Sequence, residues 1–189
     1  VGLVMLNRPA KRNALDLPMR AAIAESVAVL TQDESIRTVI ITGGTEMFAA
    51  GADLSMLVDK GAQQMADMNL GQYWAPIARC PKPVIGAING VALGAGCELA
   101  MMCDILVVDT TARLGQPEAR VGIMRGAGGT QRLVRAVGRP VAALMLMTGE
   151  PLTGERAWQL GLASELTEAG KALERAGEVA ARIAAMPFI

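Results

Sequence analysis

Pro83-Val84-Ile85-Gly86-Ala87-Ile88-Asn89-Gly90-Val91-Ala92-Leu93-Gly94-Ala95-Gly96-Cys97-Glu98-Leu99 is the stretch that decides the fold. Its first half is a short apolar run of the kind that forms a fully buried strand, and its second half is a glycine-rich turn opening a helix over about residues 95–102. Outward from it, residues 105–108 read as a further buried strand. So do residues 37–42, closed by Gly43-Gly44, and residues 1–6, stopped by Asn7-Arg8-Pro9. Asp16 and Pro18 open a helix that runs to Leu30, and a methionine-rich stretch over 54–80 reads as helical. Residues 126–137, 140–147, 154–160 and 166–185 are mostly helical in pattern. Strands alternating with helices predict an α/β fold with right-handed crossovers and a largely parallel sheet covered on both faces, with helices collecting toward the C-terminal end.

At 189 residues and 52% hydrophobic, the chain has material for one sizeable core, so a single domain over residues 1–189 is expected. It begins inside a strand and ends directly after a helical pattern, so truncation at both ends is expected. Eighteen basic and eighteen acidic residues cancel, which removes the overall electrostatic case for nucleic acid or an anionic membrane as partner. No apolar run approaches a membrane span. Cys80, Cys97 and Cys103 have no metal-ligand spacing, and an odd count without a secretory signal favours a reducing, cytoplasmic setting. No metal is expected.

The chain has no histidine, so acid–base chemistry near neutral pH falls to carboxylates, lysines or cysteines. Glu98 lies about one turn into the helix after the glycine turn, where the dipole should keep it ionised. Glu118, in Gly115-Gln116-Pro117-Glu118 with Leu114 and Val121 nearby, has a setting that would raise its pKa. Phe48-Ala49-Ala50-Gly51-Ala52-Asp53 is a small-residue loop that lets a ligand approach the main chain. The N–H groups of Ala52 and Ala95 could then form an oxyanion hole. Taken singly, each segment has a plainer reading: Asp53 as a helix cap, the glycines as packing devices, Glu118 as a solvated loop charge. A dinucleotide fingerprint is the other functional reading of the turn. It fails where Leu99 replaces the last glycine, and because the turn follows a late strand.

Together the segments resemble the crotonase superfamily, the enoyl-CoA hydratases and isomerases. The resemblance rests on Leu6-Asn7-Arg8-Pro9 with Asn13-Ala14-Leu15, the loop 48–53, the turn 89–98, Gly115-Gln116-Pro117-Glu118, and Gly126-Ala127-Gly128-Gly129-Thr130-Gln131-Arg132-Leu133, in the family's order and spacing. It implies a crotonase-type spiral of ββα-like repeats with C-terminal helices, the last of them beyond residue 189. It implies a coenzyme A thioester substrate and no separate cofactor, with the carbonyl held by Ala52 and Ala95. Arg12, Ala50, Gly51 and Ala52 would contact the CoA moiety, and Glu98 and Glu118 would handle water and the α-proton. Possession of both acids favours a hydratase, a lyase of fatty-acid β-oxidation, over an isomerase or a catalytically idle member. A homotrimer or dimer of trimers is implied as well. Met56, Tyr73 and Trp74 are candidates for the acyl pocket, against the plainer reading of a methionine stripe as core. Ala95 and Arg125 depart from the family's usual glycine and proline.

Overall fold

A computed structural model describes residues 1–187. The chain opens with strand β1 (Gly2–Met5), a 3-10 turn at Pro9–Lys11 and helix α1 (Leu17–Gln32). Asp16 caps α1 by accepting from the Met19 N–H at 2.9 Å, and Pro18 sits in the first turn, where its missing N–H costs nothing. Strand β2 (Val39–Thr42) follows, then a 3-10 turn at Leu54–Met56 and the short helices α2 (Ala62–Asp67) and α3 (Gly71–Ala78). The central stretch becomes β3 (Val84–Ile88), β4 (Val91–Leu93) and α4 (Ala95–Ala100). After it come β5 (Ile105–Asp109), β6 (Arg113–Gly115), a 3-10 helix at Pro117–Val121, α5 (Gly129–Val137), α6 (Arg139–Thr148), β7 (Leu152–Thr153), α7 (Gly154–Gln159), β8 (Glu165–Thr167) and α8 (Ala172–Ala184).

Five strands pair in the order β1-β2-β3-β5-β8, and every neighbouring pair is parallel. Parallel pairing without hairpins forces each return to cross a face of the sheet, so the apolar runs of β2 and β3 are buried throughout. One face packs on α1, α3 and α4 through residues such as Val27, Ile41, Ile77, Ile88 and Leu99. The other is covered by α8, whose Ala172, Ala176 and Ala180 recur every four residues and lie on Ile40, Ile85, Ala87 and Val107. Coverage is incomplete at the β1 edge, where Leu3 and Met5 are each about half exposed. A second sheet, β4-β6-β7, stands apart, with β4 parallel to β6 and β7 antiparallel. No helix among the described residues is long and apolar enough to cross a membrane.

The structure corrects the sequence reading in three places. The helical stretch expected over 54–80 is broken, because Asp59 and Asn69 adopt left-handed conformations that no helix continues through. Residues 126–128 are loop, with α5 starting at Gly129. Residues 166–167, expected to be helical, belong to the strand β8, which extends the main sheet beside β5.

Candidate active site

Two loops meet at the start of α4. Ala49 and Ala92 form a parallel bridge, fixed by Ala49 N–H to Val91 O at 2.9 Å and Leu93 N–H to Ala49 O at 3.0 Å. Ala52 and Ala95 therefore each lie three residues beyond a paired point on adjacent segments. On the other side, Leu15 bridges Ala52 by donating to Gly51 O and accepting from the Asp53 N–H. The Ala52 N–H is left out of that ladder, and the Ala95 N–H, first of its helix, has no intrahelical acceptor, so both donors are uncommitted among the described residues. The loops can come this close because Gly51 (φ 122°) would place a Cβ 3.0 Å from Leu93 O, and Gly96 would place one 2.5 Å from Ala49 O.

Arg12 joins the same wall. Its carbonyl accepts from the Ala50 N–H at 3.0 Å, and its side chain is exposed. The neighbouring Asn13 is buried in a left-handed conformation that asparagine tolerates, and its Nδ2 donates to Met47 O and Phe48 O. That side chain fastens the Arg12 turn to the small-residue loop. Asp53 caps the following 3-10 turn by accepting from Ser55 and pairs with Arg8 at 2.7 Å, which with those bonds holds its pKa down to about 2. The capping role is the plainer of the two readings of this aspartate.

Glu98 is buried on α4. Its Oε1 accepts from the Ala127 and Gly129 N–H groups, both at 2.9 Å, so the loop before α5 is folded onto this carboxylate. Arg132 Nη1 donates to Ala127 O at 2.8 Å and fastens the same loop. Against the expectation that the helix dipole keeps Glu98 ionised, burial dominates and raises its pKa, opposed by the two N–H bonds and by Arg20 and Arg132. A six-residue helix has little dipole to offer.

Glu118 lies on the 3-10 helix Pro117–Val121 and is buried. Its pKa is raised chiefly by desolvation and further by the charge of Glu98, with Arg125 opposing. The raised direction agrees with the sequence reading, although Val121, expected to shield it, is exposed. One carboxylate oxygen, Oε1, lies where a Cβ on Gly94 would be 3.1 Å away; Gly94 also has φ 50°, so glycine is required there twice over. Glu98, Glu118 and the two free N–H groups thus gather around residues 94–95.

Three further side chains shape the site. Gln116, fully buried, donates from Nε2 to Gly94 O at 3.3 Å, while its Oε1 has no partner. Cys97, next to Glu98 in the chain, has its thiol pushed up to about 12, first by burial and also by the charges of Glu98 and Glu118, so it is inert. Arg20, 3% exposed, donates to Leu15 O and lies over the Trp74 ring at 4.8 Å. It is a buried cation within electrostatic reach of Glu98. A sequence signal for it exists: Arg20 stands at i of an i, i+3, i+4, i+7 series with the buried Ile23, Ala24 and Val27. Trp74 is correspondingly a core residue, whereas Tyr73 and Met56 are half-buried.

Comparison with known proteins gives a consistent assignment. The family model described as enoyl-CoA hydratase/isomerase matches residues 1–188. A 2,3-dehydroadipyl-CoA hydratase of Escherichia coli K12 is 43% identical over 182 residues, covering 96% of this chain and 71% of that protein. A mitochondrial enoyl-CoA hydratase of Pongo abelii is 39% identical over 184 residues, and the chain spans 63% of its length. The crystal structure of an enoyl-CoA hydratase from Bacillus anthracis superposes with a TM-score of 0.90 at 34% identity, covering 96% of this chain and 72% of that one. The crotonase-type α/β architecture is common to this chain and that structure.

Proposed function

Because the chain belongs to the enoyl-CoA hydratase/isomerase family, we propose that it is an enoyl-CoA hydratase, a hydro-lyase that adds water across the α,β double bond of a 2-enoyl-CoA thioester. The observation that carries this reading is the gathering of two buried carboxylates, Glu98 and Glu118, around the uncommitted N–H donors of Ala52 and Ala95. The thioester oxygen accepts from those two donors. As water attacks the β-carbon, the electrons of the double bond move onto that oxygen, and the donors stabilise the charge that develops. Glu98 takes a proton from the water in its carboxylate form, the form that the Ala127 and Gly129 N–H bonds orient and that Arg20 and Arg132 favour against the cost of burial. Glu118, protonated, gives its proton to the α-carbon. A buried carboxyl with a neighbouring acid holds a proton to higher pH than a solvated one, which suits this donor role.

Arg12, Ala50 and Gly51 form the wall on which the CoA moiety rests, with the exposed guanidinium of Arg12 facing its phosphates. Met56 and Tyr73, rather than the core residue Trp74, are the better candidates for the acyl side. Exposed apolar side chains on the 3-10 helix, its following loop and α6, Val121, Met124, Leu144 and Met147 among them, support self-association, and the homotrimer or dimer of trimers rests on the family resemblance alone. Three free thiols suit a reducing compartment such as the cytoplasm, and the chemistry suits fatty-acid breakdown. The test is turnover on a panel of acyl-CoA thioesters with product identification. A 3-hydroxyacyl-CoA from 2-enoyl-CoA is expected; conversion of a 3-enoyl-CoA to its 2-isomer without hydration, or no turnover across the panel, would refute the assignment.

A further inference from the structure

The loop after Glu118 carries Arg125, whose side chain turns inward and is 8% exposed. Its Nη2 donates to Gln116 O at 2.7 Å and to Leu146 O at 2.8 Å, tying the segment that bears Glu118 to α6. That anchoring leaves Nε–H facing Glu118 Oε2 at 3.5 Å, and neither atom has another hydrogen-bond partner. A buried donor and a buried acceptor left facing each other are costly apart and strong together. Charge-assisted pairs close to about 2.7–2.9 Å, so a small rotation of either side chain completes the bond. The other oxygen, Oε1, points to Gly94, beside the Ala95 N–H.

We propose that Arg125 is a positioning residue for Glu118: anchored through Nη2 and facing Oε2 through Nε, it fixes the carboxyl so that Oε1 is the oxygen that exchanges a proton with the α-carbon of the substrate. The proposal rests on the hydratase reading for the identity of that carbon. Arginine suits the task because its planar fork serves two carbonyls and a carboxylate at once, which a lysine ammonium at the end of a flexible stem does not. The charged groups that face Glu118 are Glu98 from α4 and Arg125 itself. α6, packed on the same segment, has only Arg139 as a charged residue, at its far N-terminal end. Arg120, on the acid's own turn, is directed to Thr148 O. Glu98 opposes ionisation of Glu118 and Arg125 favours it, so loss of the arginine leaves the carboxyl holding its proton to higher pH.

Arg125→Met and Arg125→Lys test this. In Arg125→Met, kcat for hydration should fall about ten- to a hundredfold with KM little changed, as expected for a misplaced proton donor. The basic limb of its kcat/KM profile should move to higher pH, and Arg125→Lys should return the limb toward wild type. Independently of turnover, a 13C titration of the Glu118 carboxyl, assigned with Glu118→Gln, should show the same upward displacement in Arg125→Met. If the variants are only less stable, with the titration of Glu118 and the pH limb unmoved, the positioning role is overturned. If the wild-type protein hydrates no enoyl-CoA, the hydratase reading fails, and the carboxyl titration still decides whether Arg125 governs Glu118.

Discussion

Gly129→Ala places one methyl group between the two buried side chains that face the start of α5. The added Cβ would sit 2.4 Å from Gln116 Oε1 and 2.9 Å from Glu98 Oε1. Ordinary contact begins near 3.4 Å, so Gln116 must retreat by about 1 Å and Glu98 by about 0.5 Å. Both acceptors end long side chains, but both are buried and have little room to move. Overpacking of this kind costs about 1–3 kcal/mol, while Ala in place of Gly in a helix returns up to about 1 kcal/mol. A net loss of about 1 kcal/mol corresponds to a fall in Tm of roughly 2–4 °C for a chain of this size. Activity should suffer more, because the displaced carboxylate stretches the Ala127 and Gly129 N–H bonds that aim it. A misplacement of about 1 Å at a reacting group costs up to about a hundredfold in rate, so a shift of about 0.5 Å at Glu98 should cost roughly tenfold. The assay is initial-rate hydration of a short 2-enoyl-CoA beside a thermal melt. Gly126→Ala is the control, since a Cβ there meets nothing within 4 Å, and its rate should stay within about twofold of wild type. Equal rates in the Gly129 variant and the control would refute the reasoning that Ala127 and Gly129 hold Glu98 in its working position.

Two other outcomes follow from the same geometry. Ala95→Pro removes one of the two uncommitted donors at the first residue of α4, a position where proline is tolerated, so the fold should persist. Its kcat should fall about 10²–10³-fold, or roughly 2.7–4 kcal/mol, and an unchanged kcat would remove Ala95 from the oxyanion site. The buried acids also make stability depend on pH. Each has a pKa raised on folding, chiefly by desolvation, so the native state binds these protons more tightly than the unfolded chain. The stabilisation is full below the unfolded carboxylate value of about 4.3 and is lost as pH rises through the folded values. Glu98→Gln and Glu118→Gln should therefore melt higher than the parent at pH 8, with the difference closing toward pH 5. Variants that melt lower at pH 8 by an amount independent of pH would contradict this.

What the sequence makes legible follows the range over which its causes act. The strands at 39–42, 84–88 and 105–109 are visible as β-branched or apolar runs, because parallel strands buried on both faces carry little else. β4 and β6 are hidden because three residues beside glycines look like a turn, and only pairing in space, with each other and with β7, makes them strands. The glycine turn and both acids are readable, since spacing along the chain places Glu98 a turn beyond Gly94. Their electrostatics are not. The bonds to Glu98 come from residues 29 and 31 positions away, and burial, rather than the helix dipole, sets the direction of its pKa. Arg125 is visible only as an unusual residue, because its role depends on Leu146 O and Glu118 Oε2 meeting it in space. The burial of Arg20 is legible in the apolar stripe of α1, which it shares with Ile23, Ala24 and Val27, while its partners Glu98 and Trp74 come from distant segments.

The most direct test of the two-carboxylate mechanism is the hydration rate of Glu98→Gln and Glu118→Gln, each measured beside the Kd of a saturated, unreactive acyl-CoA. General acid or base catalysis by a positioned carboxyl contributes about 10²–10⁴-fold, so each kcat should fall by at least a hundredfold while the Kd stays near that of the parent. Wild-type turnover in either variant, with thioester binding intact, would contradict the assignment of proton transfer to Glu98 and Glu118.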